Sequence, residues 1–167
     1  MYRRMKVAGL TIDPLSNSPI MLLQDEETEE SLPIWIGLLE ATAIASELEK
    51  VEFSRPMTHD LFKNVTEKLG ASLKKIEVCD LKENTFYALV HFAKGDREMV
   101  IDARPSDAVA LALRFNAPIF VAESVLEKSK ETSGKQPGQA EIQSEEGDKW
   151  AEVLKDLDPE DFGKYKM

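Results

Sequence analysis

Residues 101–112, with the sequence IDARPSDAVALA, decide the fold of this chain. They join the end of an apolar strand to a polar junction, which leads into a helix that is apolar almost all round. A helix without a polar face is expected to be buried. Residues 55–60, with the sequence RPMTHD, repeat the order of Arg-Pro, hydroxyl and acid ahead of a second helix. Two such junctions indicate a functional site, because arginine binds phosphate or carboxylate with two parallel hydrogen bonds.

The sequence also indicates an internal duplication. A shift of 67 residues lays residues 7–49 over residues 74–116 without a gap. Each copy has the pattern of strand, turn, strand, polar loop and strand, followed by a helix of small residues that begins near Glu40 or Asp107. We therefore predict an α+β fold of internally duplicated β-β-β-α units, with a mostly antiparallel sheet and packed helices. The two equivalent helices should pack on the sheet and on each other.

The segment between the copies is predicted to form a helix over residues 58–69. Thr58 is suited to be its N-cap, and Gly70 is suited to end it. Four apolar residues recur at helical spacing and predict a face that packs on the core: Leu61, Phe62, Val65 and Leu69. In the first copy, Pro33 predicts that its strand lies at an edge of the sheet or that the proline lies at the start of the strand.

Composition divides the chain into three parts. Residues 1–127 are predicted to form the folded domain, and residues 128–147 a polar, flexible linker. Residues 148–167 are predicted to form an amphipathic helical tail, with Trp150, Val153, Leu154 and Leu157 at helical spacing. Because strand edges and the apolar face of the tail lack partners in this scheme, we expect a homodimer or a higher homo-oligomer.

Charge and motifs exclude several classes of function. The formal net charge of −10, from 21 basic and 31 acidic side chains, argues against broad nonspecific affinity for nucleic acid. The sequence has no Walker-type loop, no Rossmann glycine motif, no zinc-protease motif and no nucleophile elbow. No apolar run approaches the length of a membrane span, and we expect a cytoplasmic protein that does not bind membranes. The single cysteine, Cys79, forms no internal disulfide.

The junction at residues 55–60 carries two candidate groups for chemistry. His59 can act as a general base or bind a metal ion, and Asp60 can bind a metal ion or orient a neighbouring group. The alternative is a structural role. In that case Asp60 complements the helix dipole, and His59 satisfies a nearby carbonyl.

Four polar residues surround the start of the apolar helix: Asp102, Arg104, Ser106 and Asp107. Burying charges without partners is costly. Either Arg104 bridges carboxylates in a structural pair, or the carboxylates hold a cation. Glu40 occupies the position of Asp107 in the first copy. Internal symmetry therefore predicts that Glu40, Asp102 and Asp107 converge on one crevice.

These residues carry a resemblance to a known family. The matching segments are residues 32–37 (LPIWIG) followed by Glu40-Ala41, residues 55–61 (RPMTHDL), residues 86–88 (FYA) and residues 101–112. In this order they resemble the bifunctional nuclease family, over about residues 5–127. The resemblance implies a compact α+β domain and, for some members, hydrolysis of both RNA and DNA.

The leading hypothesis is metal-assisted hydrolysis of phosphodiester bonds in RNA or DNA with low sequence specificity. A divalent cation, Mg²⁺ or Mn²⁺, would be bound by carboxylates, while arginines and hydroxyls would hold phosphate oxygens. The predicted metal ligands are Asp102, Asp107, Asp60 and Glu40; the predicted phosphate-binding residues are Arg55, Arg104, Thr58 and Ser106; the predicted catalytic residues are His59, Asp60, Asp102 and Asp107. The alternative is a non-catalytic regulatory or scaffold domain that binds an anionic ligand or a partner protein.

Overall fold

The computed structural model describes residues 1–133, which form one seven-stranded sheet and four helices. In chain order the elements are β1 (Tyr2–Ile12), β2 (Pro19–Asp25), β3 (Ser31–Trp35), α1 (Leu38–Leu48), α2 (Thr58–Lys68), β4 (Ser72–Lys82), β5 (Thr85–Lys94), β6 (Arg97–Ala103), α3 (Pro105–Phe115), β7 (Ile119–Ala122) and α4 (Glu123–Ser133). The strands lie in the order β3-β2-β1-β7-β4-β5-β6.

The two segments that the sequence relates by a shift have the same order of elements. In the first, β1, β2 and β3 form an antiparallel meander that leads into α1; in the second, β4, β5 and β6 form another that leads into α3. β7 joins the two at the centre of the sheet, since it pairs antiparallel with β1 and parallel with β4. A shift of 67 residues also carries the bounds of α1 onto those of α3. The predicted α+β fold with a mostly antiparallel sheet is confirmed.

α3 is the most deeply buried helix among the described residues, as its apolar sequence predicts. It contacts α1, α2, β4 and β5. α1 and α3 contact each other, and both helices bury alanines: Ala41 and Ala45 on α1, and Ala108, Ala110 and Ala112 on α3. Small side chains let two helices approach closely. The predicted packing of the two equivalent helices on each other is confirmed.

Local sequence signals fix several ends of elements where they were expected. Gly70 follows α2 with φ +72, a left-handed conformation that glycine adopts without steric cost. Asn116 ends α3 in the same region, with φ 52. Pro33 lies on β3, which is an edge strand of the sheet, so the prediction from this proline is confirmed.

The predicted core face of α2 is wrong. Its four apolar residues are exposed, with fractional exposures of 56% for Leu61, 44% for Phe62, 49% for Val65 and 61% for Leu69. The opposite side of α2 faces α3, because polar contacts hold it there: the Lys63 Nζ donates a hydrogen bond to the Arg114 carbonyl at 2.8 Å. Helical spacing locates an apolar stripe, but it does not say what covers the stripe.

The start of α2 also differs from the prediction by one residue. Met57, and not Thr58, is the N-cap. The Asp60 carboxylate accepts a hydrogen bond from the Met57 backbone N–H at 2.9 Å, which satisfies one of the free donors at the start of the helix. Thr58 is exposed.

α4 runs to Ser133, past the predicted end of the domain at residue 127. The remainder of the predicted linker and the predicted helical tail at residues 148–167 lie outside the described residues. No helix in the described part of the chain is both long enough and apolar enough to cross a membrane.

Candidate functional site

A cavity of about 270 Å³ opens where the two equivalent strand-to-helix junctions meet. The β3–α1 junction contributes Trp35, Gly37 and Glu40, and the β6–α3 junction contributes Arg104 and Ser106. The turn between β4 and β5 closes a further side with residues 84–86. The cavity therefore combines aromatic walls with charged and hydroxyl groups.

Two helix N-termini lie at this cavity. The N-cap residues are Gly37 for α1 and Arg104 for α3, and neither helix has a side-chain cap hydrogen bond. Backbone N–H groups in the first turn of a helix lack intrahelical acceptors and carry partial positive charge. Two such N-termini at one cavity favour an anionic ligand.

Arg104 bridges two carboxylates that lie 67 residues apart, at positions that the predicted duplication makes equivalent. Its Nη1 donates to Glu40 Oε1 at 2.7 Å, and its Nε donates to Asp107 Oδ2 at 2.7 Å. The predicted convergence of Glu40 and Asp107 is therefore present in the structure. The Arg104 side chain remains 65% exposed, so it is accessible from solvent.

His59 extends this arrangement from α2. Its Nε2 lies 3.1 Å from Asp107 Oδ1, and its side chain is mostly buried. We call His59, Asp107, Arg104 and Glu40 the polar chain. Partial burial by itself raises the pKa of the Asp107 carboxyl, but hydrogen bonds from Arg104 and His59 outweigh burial and lower the pKa overall.

The ionisation of Asp107 sets the chemistry of His59. An ionised carboxylate accepts hydrogen bonds only, so His59 Nε2 must carry the hydrogen that bridges to Asp107. In the neutral imidazole, Nδ1 is then the nitrogen with a free lone pair. His59 is thus held in the tautomer that can accept a proton at Nδ1.

Asp60 has a structural role in this arrangement. Its Oδ1 accepts a hydrogen bond from Arg114 Nε at 2.6 Å, and its other oxygen caps α2 through Met57. Partial burial raises the pKa of the Asp60 carboxyl, and the bonds from Arg114 and Met57 outweigh it, so the pKa is lowered. Of the two roles that the sequence left open for Asp60, the contacts match the structural one.

Arg114 was missed in the sequence analysis. It is 5% exposed, and its Nη1 donates to the carbonyls of Ala43 at 3.0 Å and Ala110 at 3.1 Å. Together with its bond to Asp60, these contacts join α1, α2 and α3 beneath the polar chain. A signal was available, because Arg114 is the sole charged residue between Asp107 and Glu123. A lone charge in an apolar segment indicates a buried ion pair.

Gly37 was also missed. A Cβ built at this position would lie 2.2 Å from Glu40 Oε2. The glycine therefore leaves the space in which the Glu40 side chain folds back over the start of α1 and reaches Arg104. The signal was the position of Gly37 immediately before a helix that carries an acid in its first turn.

The remaining predicted residues are placed differently. Asp102 is exposed on β6, where its register partner is Leu89, while Ala103 points to the other face of the strand. Arg55 and Thr58 are exposed, and within residues 1–133 neither hydrogen-bonds to the polar chain. Ser106 is 6% exposed and lines the cavity. The structure thus brings together Glu40, Arg104, Ser106, Asp107 and His59, and leaves the others apart.

The predicted metal ligands do not form a coordination sphere in this arrangement. Both oxygens of Asp107 and both of Asp60 already accept hydrogen bonds, and Arg104 occupies the space between Glu40 and Asp107. Within residues 1–133, no group of three or more His, Cys, Asp or Glu side chains is placed to hold a metal ion. A divalent cation between these carboxylates would have to displace the guanidinium. The predicted cation stays a prediction.

Residues 21–133 match the family model described as the bifunctional nuclease domain. The chain belongs to this family. The matched span runs from β2 to the end of α4 and includes both junctions, the cavity and all four residues of the polar chain.

Relatives fall into two groups. The uncharacterized protein Rv1829 of Mycobacterium tuberculosis is 41% identical over 161 residues, which cover 94% of this chain and 96% of that protein. Bifunctional nuclease 1 of Oryza sativa subsp. indica is 26% identical over 112 residues, covering 65% of this chain and 34% of the relative. Bifunctional nuclease 2 of Arabidopsis thaliana is 27% identical over 108 residues, covering 63% and 33%. The match to the plant proteins thus spans about a third of their length.

Proposed function

We propose that this chain hydrolyses phosphodiester bonds in RNA or DNA with low sequence specificity. The observation that carries the proposal is the His59–Asp107 pair, which is joined through Asp107 to Arg104, an exposed arginine that lines the cavity with two helix N-termini. Membership of the bifunctional nuclease domain family and the names of the plant relatives support the same class of reaction.

In this proposal His59 accepts the proton of the attacking nucleophile at Nδ1. Asp107 holds the imidazole through Nε2 and stabilises the imidazolium that forms, as a carboxylate does for the histidine of a catalytic triad. The attacking oxygen comes from water, or in RNA from a ribose hydroxyl. Its bond to phosphorus forms as the bond from phosphorus to the leaving ribose oxygen breaks, and solvent supplies the proton that the leaving oxygen takes up. His59 is a proton-transfer residue here, and Asp107 is its positioning residue.

Arg104 binds the phosphate in this proposal. A guanidinium has five N–H donors, and Arg104 uses its Nε and one Nη1 donor for Asp107 and Glu40. The remaining donors are free for phosphate oxygens, which arginine binds in a bidentate way. Ser106 and the first-turn amides of α1 and α3 add further donors at the same cavity.

The walls of the cavity support the proposal of low sequence specificity. Trp35 and Phe86 offer aromatic surface beside Arg104, and stacking of bases on aromatic rings tolerates every base. A net charge of −10 opposes binding of a polyanion outside this local site. We therefore expect weak, salt-sensitive binding of short single strands rather than tight binding of long duplexes.

The alternative function is a regulatory or scaffold domain that binds an anionic ligand without hydrolysis. The observation in its favour is that Arg104 pairs with two carboxylates, those of Glu40 and Asp107, as in a structural junction. The residue roles proposed above include no step for a cation. Whether cleavage requires Mg²⁺ or Mn²⁺ is therefore determined by experiment.

The test uses fluorescently labelled single-stranded RNA and DNA with Mg²⁺, Mn²⁺ or chelator present. Replacing His59 with Gln should lower the cleavage rate by about 100-fold or more, the usual contribution of a general base. The matched control is His91→Gln, because His91 on β5 also pairs with a carboxylate, its Nε2 lying 2.9 Å from Glu77 Oε2, but this pair is separate from the polar chain. This control should retain the rate of the wild type.

Contamination is controlled by requiring that activity co-elutes with the protein in two different separations. Wild-type protein that cleaves neither substrate under any of the three conditions contradicts the nuclease proposal. Retained binding of a short oligonucleotide in that case, abolished by Arg104→Ala, would establish the alternative function. Equal loss of activity in both histidine variants would also count against the role given to His59.

A further inference from the structure

An apolar surface lies at the β6 edge of the molecule. It consists of Leu61, Phe62, Val65 and Leu69 on α2 and Met99 and Ile101 on β6, and we call it the β6 patch. Its members are between 42% and 61% exposed. It is continuous, because the ring of Phe62 lies 6.0 Å from that of Phe92, and Phe92 is the register partner of Met99.

The internal duplication shows that this exposure is unusual for these positions. A shift of 67 residues places Leu32 and Ile34 of β3 on Met99 and Ile101 of β6. Leu32 is 1% exposed and Ile34 is 3% exposed, whereas Met99 is 42% exposed and Ile101 is 48% exposed. Equivalent positions are apolar in both halves but covered only in the first. A covering element is therefore missing from the second half of the described chain.

The backbone of β6 also indicates that another element covers this edge of the sheet. β3, at the other edge, has five residues and contains Pro33, which cannot donate a hydrogen bond to another strand. β6 has seven residues, contains no proline and carries three successive apolar residues at positions 99–101. An edge strand of this kind presents unpaired N–H and C=O groups to any strand that can lie beside it.

We propose that the β6 patch is the interface between two copies of this chain, with the β6 strands paired antiparallel across a two-fold axis. The six side chains expose roughly 600 Å², which approaches the roughly 800 Å² that each partner buries in a standard interface. Pairing of the edge strands adds backbone hydrogen bonds and further area. A two-fold axis uses the same surface on both copies, so one patch is sufficient.

A second copy fits this surface better than the C-terminal segment of the same chain does. The sequence predicts a helix there, and a helix satisfies its backbone donors and acceptors internally. Such a helix can cover apolar side chains, but it cannot pair with the edge of β6. Only another strand can cover the side chains and satisfy the backbone together.

The first measurement is the mass of the full-length protein in solution. Sedimentation at about 10 μM should give twice the chain mass of 18.8 kDa, with a dissociation constant in the micromolar range or below. Because each copy carries a net charge of −10, added salt should strengthen the dimer by screening their repulsion. Wild-type protein that sediments as a monomer at this concentration overturns the proposal.

The second measurement compares charge-introducing variants inside and outside the β6 patch. Val65→Glu and Ile101→Lys should each weaken the dimer by about 100-fold, because a charge in the interface must be desolvated without a partner. Leu15→Glu is the control, since Leu15 is 82% exposed in the turn between β1 and β2, outside the patch. Dimers that persist in both patch variants place the interface elsewhere and overturn the proposal. If either variant fails to fold, Leu69→Glu replaces it.

Hydrogen exchange distinguishes a second copy of the chain from the C-terminal segment as the element that covers the β6 patch. If the second copy covers the patch, the backbone amides of β6 should exchange at least tenfold more slowly in the wild type than in Val65→Glu. The variant Leu154→Glu in the full chain should leave that protection unchanged. Loss of β6 protection in Leu154→Glu, with the wild type monomeric, would show that the C-terminal segment covers the patch instead.

Discussion

At the scale of single residues, the site depends on a difference between two equivalent positions. Glu40 and Asp107 correspond in the duplication, and one arginine binds both of them. The residue that corresponds to Arg104 in the first half is Gly37. Because Gly37 has no Cβ, the Glu40 side chain can fold back and share the guanidinium of the second half. The two segments differ at Gly37 and Arg104, where their junctions meet, and this difference allows the polar chain to form.

The role of Gly37 leads to a mutational prediction. The backbone at Gly37 has φ −77 and ψ 164, which alanine adopts without strain, so Gly37→Ala should leave the free energy of unfolding within about 1 kcal/mol of the wild type. The added Cβ would displace the Glu40 carboxylate and break its bond to Arg104. We expect kcat/KM for a single-stranded oligonucleotide to fall by roughly tenfold. Thermal unfolding and steady-state cleavage measure the two effects.

A double mutant tests whether Gly37→Ala acts through Glu40. If it does, adding Gly37→Ala to a Glu40→Ala background should change kcat/KM little further, because the bond to Arg104 has already been lost. Additive losses in the double mutant would mean that the added methyl group acts on the cavity by another route.

The contacts of Asp107 lead to a second prediction, which concerns how the free energy of unfolding changes with pH. Its pKa is lowered in the folded protein, since hydrogen bonds from Arg104 and His59 outweigh the opposing effect of burial. The unfolded chain therefore binds the proton more readily, and the ionised carboxyl contributes stability that is present above its unfolded pKa and lost as pH falls through the folded pKa. In urea unfolding between about pH 6 and pH 2, the wild type should lose stability more steeply than Asp107→Asn. Parallel pH profiles for the two proteins would contradict this assignment.

At the scale of elements, burial was predicted well where the sequence leaves no choice. α3 is apolar almost all round, so its deep burial was predicted from residues 101–112 alone. α2 is amphipathic, and its orientation depends on which of two sides finds a partner. Its polar side binds α3 through Asp60 and Lys63, while its apolar side lies at the β6 patch. That outcome requires knowledge of the tertiary contacts and of any second chain, which periodicity does not contain.

The ion pair between Asp60 and Arg114, which holds α2 on α3, leads to a third prediction. It concerns which of the two residues costs more free energy of unfolding when it is replaced. The Arg114 side chain is 4% exposed, whereas that of Asp60 is 32% exposed. Asp60→Ala leaves a buried cation without its partner and should lower the free energy of unfolding by about 3 kcal/mol. Arg114→Met leaves a carboxylate that can reach water and fills the same space with an apolar chain, so its cost should be about 1 kcal/mol. Urea unfolding at neutral pH measures both, and equal costs would contradict the burial argument.

At the scale of the whole molecule, the duplication was the most productive signal in the sequence. It predicted the order of strands and helices in both halves and the meeting of Glu40 with Asp107. It did not predict that Asp102 lies apart from them, because residue alternation on β6 turns neighbouring side chains to opposite faces. Nor did it reveal Arg114, whose importance comes from contacts among three helices. Local sequence patterns predict the helices and strands and which of them correspond between the two segments. Which side chains come together depends on how these helices and strands pack.

The equivalence of the halves supplies the last prediction. Ile34 and Ile101 correspond in the duplication, but Ile34 is 3% exposed and Ile101 is 48% exposed. Ile34→Ala should lower the free energy of unfolding by about 3 kcal/mol at any protein concentration, because it leaves a cavity in the core of each chain. Ile101→Ala acts at the proposed interface between two copies, so its cost should be small at nanomolar concentration and should grow as rising concentration populates the dimer. Unfolding of both variants and the wild type at protein concentrations 1,000-fold apart measures this difference. A cost for Ile101→Ala that does not change with concentration would mean that this residue stabilises the single chain alone.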